Sequence, residues 1–283
     1  MRLFVDNLTN LDFSYLHATR GVVGETWLAS IELIGELDEQ GMVCDFGIVK
    51  KMLREWLDTE IDHRLLVPTE TTELTRLKTT SNKHELTWKD KVHDESYFIE
   101  APKAAVALVK QGEITPESVA NWCLSQLKAL FPNSVREIRL RFTTERIDGP
   151  YYHYSHGLKK HNGNCQRIAH GHRSKIEIWK NNKLNETLMS EWAEKWQDIY
   201  IGTQEDLEDT EDYPKENATF SYTSAQGYFL FSLPERRCCI INSDTTVELL
   251  AKYIAESIKQ GDPSNHYEGK AYEGLSKGAI VEL

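Results

Sequence analysis

Five of the ten histidines of this 283-residue chain fall between His153 and His172, and Cys165 sits among them. His170 and His172 flank a single glycine. Side chains two apart on a strand project to the same face, so this pair points one way. His156 lies a hairpin's length upstream, and as a third ligand it would complete a three-histidine site with one coordination position open. Zinc is held in this way when it must also touch a substrate. Two surface histidines, with His156 unrelated, would account for the HxH pair alone, and His153 and His161 are spare ligand candidates. Cys165 lies in the polar run NGNCQR, which suits a fourth ligand or a thiolate better than a core residue. A nearby cation lowers a thiol's pKa and makes it a usable base or nucleophile. A second pair, Asp62-His63, can orient or charge an imidazole for proton transfer. On its own it also suits an ordinary surface dipeptide.

The elements that must position these residues come in two similar sets. Trp27 to Leu37 alternates like a half-buried strand, and Gly35 to Gly41 supplies a turn. From Asp45 a helix presents Phe46, Val49, Leu53, Trp56 and Leu57 on one face. A second helix starts at Thr115-Pro116-Glu117, with Val119, Trp122, Cys123, Leu127 and Leu130 inward, and ends at Phe131-Pro132. Ile138, Leu140 and Phe142 then alternate as a strand. The second half repeats the order: a strand over Lys175 to Lys180, a helix over Met189 to Tyr200, and a helix from Asp244 with Val247, Leu250, Ile254 and Ile258 inward. One constant offset places Thr115 on Thr246, Glu117 on Glu248, Ala120 on Ala251 and Pro132 on Pro263. Other offsets place Trp56 on Trp196 and His17 on His156. Their common order predicts a duplicated α+β unit, residues 1–145 and 146–283, each an antiparallel sheet with helices on one face. Leu74 to Trp88 adds a hairpin, and the acidic stretch Glu205 to Asp212 reads as a solvated loop.

Composition bounds the function. The net charge of −11, from 44 acidic and 33 basic residues, argues against a nucleic-acid partner, which needs a basic surface. No apolar run approaches the roughly 18 residues of a membrane span. The start, MRLFVDNLTN, lacks the pattern of a signal peptide, so a cytoplasmic protein is expected. The five cysteines include adjacent Cys238 and Cys239 and fit a disulfide framework poorly.

Several runs resemble the 6-pyruvoyltetrahydropterin synthases and their relatives, the 6-carboxytetrahydropterin synthases. FGIVKKMLREWLDTEIDHRLL is similar to the family's DFG-helix-LDH segment. SHGL at Ser155, then Cys165, then HGH at His170 resemble its ASHRL, catalytic cysteine and HGHNY. TTVELLAKYI resembles its PTSENLAKWI, and YEG at Tyr272 looks like the strand that carries its pterin-anchoring glutamate. The resemblance implies the T-fold: a four-stranded antiparallel sheet with two helices on one face, here twice in tandem with hairpin insertions. It implies zinc on His156, His170 and His172, Cys165 as catalytic thiol, and Asp62 and His63 as its proton-transfer partners. It makes Glu273 the pterin carboxylate and Thr246 a substrate-side residue. The implied substrate is 7,8-dihydroneopterin triphosphate. The implied product is 6-carboxytetrahydropterin, used in deazapurine (queuosine) synthesis, or else the 6-pyruvoyl compound. A zinc- and pterin-binding protein without turnover is the alternative. The family's hexamers imply a homo-oligomer of three tandem chains.

The departures from the family pattern are complementary. The first half reads Val23-Gly24-Glu25 in place of HGH, keeps only His17, has no cysteine between His17 and Glu25, and lacks a carboxylate near Phe142 and Thr143. The second half reads Gly202-Thr203 where the Trp56-to-Trp196 alignment puts Asp62-His63. One complete set per chain, divided between the halves, is therefore expected.

Overall fold

The computed structural model describes residues 1–283. A long hairpin, β1 (Arg2–His17) and β2 (Gly21–Gly35), opens the first unit, followed by α1 (Phe46–Glu60) and β3 (Leu65–Pro68). Then come β4 (Leu74–Thr79), β5 (Lys83–Asp90), β6 (Glu95–Pro102), β7 (Val106–Val109), α2 (Pro116–Leu127) and β8 (Val135–Thr144). The second unit runs β9 (Tyr151–His156), β10 (His170–Lys180), β11 (Lys183–Leu184), α3 (Glu186–Lys195) and β12 (Ile199–Thr203). It ends with β13 (Asn217–Ser224), β14 (Gly227–Pro234), β15 (Cys238–Ile241), α4 (Val247–Gly261), β16 (Tyr267–Tyr272) and β17 (Gly278–Glu282).

Helix starts follow local chemistry. Asp45 accepts from Gly47 N and Ile48 N, and Val49, Leu53 and Leu57 bury one face of α1. Thr115 and Thr246 cap α2 and α4, so the offset that aligns these threonines aligns two helix starts. α2 ends at Leu127, one short turn before the expected stop, and Leu130 is exposed. The expected helix over Met189 to Tyr200 ends at Lys195 instead. Asp198 takes a left-handed φ of 56°, and Ile199 to Thr203 form a fully buried strand. A short apolar run buried on both faces has no period that separates it from helix.

The two units each build one sheet, in the orders β7-β3-β1-β2-β8 and β15-β12-β9-β10-β16-β17, with β11 on β10. The expected antiparallel strands run out to one edge of each sheet, at β8 and β17, and two parallel-paired strands are added at the opposite edge. α1 and α2 pack Leu53, Leu57, Val119 and Cys123 into one core with Phe13 and Trp27; α3 and α4 form the matching core around Trp196 and Ile254. The hairpin insertions do not stay apart. β6 pairs with β14, Ile99 opposite Phe231, to make a shared sheet in the order β13-β14-β6-β5-β4. Its apolar face joins residues of both units in a third core.

The unit sheets also touch directly. Ser14 and Ser155 share a hydrogen bond of 2.7 Å between hydroxyls. A Cβ on Gly24 would stand 1.8 Å from Tyr154 O, and one on Gly171 would stand 2.6 Å from Gly24 Cα. Only glycine permits this backbone contact. Gly24→Ala is expected to cost about 3 kcal/mol or more, because the obstacle is backbone and cannot rotate away. Urea unfolding checks this, and a loss below about 1 kcal/mol would contradict it.

Candidate active site

β9 and β10 set His156 opposite His170 and Tyr154 opposite His172. The three imidazoles are buried, and their ligand nitrogens lie within 4.8 Å of one another. His156 Nδ1 donates to Thr245 O at 3.0 Å, and His170 Nδ1 donates to Arg167 O at 3.0 Å. A carbonyl only accepts, so both rings carry their proton on Nδ1 and present a bare Nε2. His170 Nε2 is buried without a partner, and His156 Nε2 lies 3.3 Å from His172 Nε2. His172 Nδ1 stands 3.2 Å from Asp12 Oδ1, off the direction of a hydrogen bond. Burial, and then the neighbouring imidazoles, hold His156 and His170 well below the ordinary histidine range. Dry, neutral imidazoles whose lone pairs face one another are unfavourable alone and are the donor set of a divalent cation. The residues fit a metal.

Cys165 lies in the β9–β10 loop, in a helical turn from Asn164 to Gln166. Its Sγ, a His63 ring nitrogen and a His170 ring nitrogen all lie within 4.8 Å of one another. The His63 ring also packs on His170, with centroids 4.9 Å apart. His63 Nδ1 donates to Asp62 Oδ2, while Asp62 Oδ1 accepts from Asp12 N at 2.8 Å. His63 N donates to Asp12 O at 2.7 Å, which holds the residue at a φ of 54°. Burial lowers the His63 pKa, but Asp62 and Cys165 outweigh it and raise the imidazole to about 10. The result is a carboxylate–imidazolium–sulfur line that ends beside the three histidines. Arg167 steadies it: Nη1 donates to Asp62 O and His63 O at 3.3 and 3.4 Å, and Nε donates to Gln226 Oε1 at 3.1 Å. Lys159 pins the loop to Glu205 at 3.0 Å and to Asp206. The acidic stretch is therefore solvated only in part, since Asp206 is buried.

Glu273 completes the cluster, with Oε1 3.7 Å from His172 Nε2 and 3.7 Å from Lys277 Nζ. Thr246 Oγ1 accepts from Leu249 N as the cap of α4; its neighbour Thr245 is the residue that touches His156. The set thus combines a three-nitrogen donor cluster that fits a metal, a thiol in line with a charged imidazole, and a carboxylate at the rim.

A family model described as 6-pyruvoyl tetrahydropterin synthase matches the chain twice, over residues 13–148 and 149–273. The chain belongs to that family. A Pyrococcus horikoshii member, provisionally named a 6-carboxy-5,6,7,8-tetrahydropterin synthase, is 23% identical over 137 residues, 46% of this chain and 73% of its own. The 6-carboxy-5,6,7,8-tetrahydropterin synthase of Rickettsia bellii is 40% identical over 53 residues, 19% of this chain and 35% of its own. A catalytic-residue mutant of Plasmodium vivax 6-pyruvoyltetrahydropterin synthase aligns at 21% identity and a TM-score of 0.41, covering 50% of this chain and 90% of that one.

As two family units in one chain, the halves can be compared position by position through strand register. Ser14 lies opposite Gly24 as Ser155 lies opposite Gly171. Tyr15, Val23 and Glu25 therefore occupy the places of His156, His170 and His172. His17 does not match His156; its Nδ1 accepts from Thr19 N and Arg20 N and shapes a turn. Ser14 and Ser155 also pair with Leu65 and Tyr200. The counterpart of Asp62-His63 is then Gln197-Asp198, not Gly202-Thr203, and His63 and Asp198 share a left-handed backbone. The error came from matching Trp56 to Trp196 by residue type: Trp56 lies inside α1, whereas Trp196 lies just past the end of α3. At this second location Arg20, in the β1–β2 turn, forms a two-point pair with Asp198 at 2.7 and 2.5 Å. His153, a spare ligand by sequence, donates from Nδ1 to Gly24 O at 2.7 Å and lies 3.9 Å from Glu25. His161 is exposed and outside the cluster. All five cysteines are free. No helix is long and apolar enough to cross a membrane.

Asp12, Thr245 and Arg167 contact the site residues, Gln226 holds Arg167, and all four were missed from sequence. Only Asp12 left a signal. It is an acid in LDFSYL, a strand run whose two faces are otherwise apolar or small.

Proposed function

We propose that this chain is a zinc-dependent pterin synthase that acts on 7,8-dihydroneopterin triphosphate, eliminates triphosphate and, with uptake of water, cleaves a side-chain carbon–carbon bond to release acetaldehyde and 6-carboxytetrahydropterin. The observation that carries the reading is the meeting of Asp62-His63 from the first unit with Cys165 and the three histidines of the second. The names of the Pyrococcus and Rickettsia relatives favour the 6-carboxy product. Zinc held by His156, His170 and His172 would supply Lewis-acid polarisation of the substrate's side-chain oxygens. Cys165 Sγ takes a proton from the carbon next to the ring. His63, held charged by Asp62, stabilises the thiolate beforehand and returns a proton afterwards. Glu273 accepts hydrogen bonds from the pterin ring edge. Three chains would combine through the open edges of β8 and β17, giving a particle about three times 32.6 kDa.

The zinc-loaded chain, offered dihydroneopterin triphosphate, is expected to release triphosphate and a 6-carboxy product by mass spectrometry. A 6-pyruvoyl product would replace the product assignment. No triphosphate release would leave the binding-only reading. A sedimentation mass near one chain would contradict the assembly.

A further inference from the structure

Asp12 belongs to the first unit, yet its carboxylate is buried against the metal centre of the second. Oδ1 accepts from Thr26 Oγ1 at 2.5 Å and stands 3.2 Å from His172 Nδ1; Oδ2 lies 3.8 Å from Lys277 Nζ. Of the three Nδ1 atoms at the centre, that of His172 alone lacks an aligned carbonyl acceptor, and the group beside it is this carboxylate. The chain is shaped around the contact. A Cβ on Gly274, which has a φ of +64°, would fall 2.5 Å from Asp12 Oδ1. The main chain of Asp12 meanwhile holds the proton relay, its N donating to Asp62 and its O accepting from His63 N. One residue thus touches both the imidazole cluster and the Asp62–His63 pair.

The second location is the natural comparison. Register places His153 where Asp12 stands and Glu25 where His172 stands. The acid and the imidazole have exchanged sides, 3.9 Å apart. Both locations keep one carboxylate and one imidazole, but only the His172 ring meets two further histidines, His156 and His170, whose register counterparts at the second location are Tyr15 and Val23. Burying a carboxylate costs solvation that packing alone does not offset. Its place behind a metal ligand gives it a task, because an outer carboxylate fixes ring orientation and raises ligand basicity.

We infer that Asp12 is a positioning residue of the metal centre, supplied by the metal-free unit to orient His172 and to hold Asp62 and His63 at a set distance from it. The inference rests on the metal reading above, and the test separates the two. Metal-free full-length wild type, Asp12→Asn and Thr26→Val would be titrated with zinc against a chromophoric chelator and with cobalt by visible absorption. Asp12→Asn is expected to bind zinc about 10- to 100-fold more weakly and to shift the cobalt bands, while its metal-free circular dichroism matches wild type. Thr26→Val keeps the carboxylate but loses the hydroxyl that steers it, and a several-fold loss is expected. It decides the matter if Asp12→Asn does not fold. Unchanged affinity and cobalt spectrum in the folded variants would overturn the role of Asp12. A wild-type chain that binds no zinc would instead overturn the metal reading.

Discussion

Cys165→Ala is expected to lower triphosphate release by about 1,000-fold or more while bound metal stays near one per chain. Removing a positioned acid–base group typically costs about 100- to 10,000-fold. Cys165 belongs at the upper end, because its sulfur lies within 4.8 Å of ring nitrogens of both His63 and His170 and so joins the proton relay to the histidine cluster. Bound metal should be unaffected because His156 and His170 are oriented by the carbonyls of Thr245 and Arg167, neither of which needs the thiol. Asp62→Asn should act through the same step. Asparagine cannot hold His63 charged, so the imidazole falls from about 10 toward its ordinary range and the thiolate loses its partner. The double variant should be scarcely worse than either single one, since the groups act as a unit. A malachite-green or ion-chromatography assay for triphosphate, with metal analysis of the same samples, checks all three proteins. Turnover retained in Cys165→Ala would remove the cysteine from the mechanism.

The largest pH-dependent effect on stability is expected at the second location. Glu25 is buried without an ion pair closer than 3.9 Å. Burial raises its carboxyl from 4.5 to about 7, although Thr26 N, Arg173, Arg20 and Trp27 pull the other way. The folded state therefore keeps a proton that the unfolded chain has released between those values. Stability falls as pH rises through that window and levels off above 7. At about 1.4 kcal/mol per unit, the charged side chain destabilises the protein by roughly 3 kcal/mol at pH 8. Glu25→Gln should recover about 2–3 kcal/mol at pH 8 and close to nothing at pH 4. His153, lowered to about 4 by burial, titrates in the opposite sense and makes the wild-type curve rise where Glu25 makes it fall. The difference between wild type and variant isolates the carboxyl. Urea unfolding at both pH values gives that difference, and equal stability at pH 8 would refute the assignment. No such gain is expected from Asp12→Asn, since Asp12 is held below the ordinary carboxylate range. Burial opposes this, but His172, Thr26 and Lys277 prevail.

What could be read from the chain followed local rules. His170 and His172 point together because strand side chains repeat every two residues, and the caps at Asp45, Thr115 and Thr246 mark three helix starts. Motif likeness added Cys165, Asp62, His63 and Glu273, and the structure brings all of them around the histidines. Illegible were residues whose role lies across an interface. Asp12 is fifty positions from Asp62 and far from His172 in sequence, and no spacing joins them. The correspondence between the halves was also misread, because loops of different length shift each element by its own offset. Strand register, not residue identity, aligns His63 with Asp198.

By itself the sequence determined that two like units follow one another, that each has given up part of a site, and which residue types remain to do chemistry. Those properties reside in composition, period and motif, which neighbouring residues set. Only the tertiary structure decided that the two partial sites coincide within one chain. That depends on the glycine contact of Gly24 with Gly171 and the pairing of β6 with β14, both of them long-range. It also decided that the first unit reaches into the metal centre through Asp12. Packing between distant strands sets that distance, and no local rule contains it.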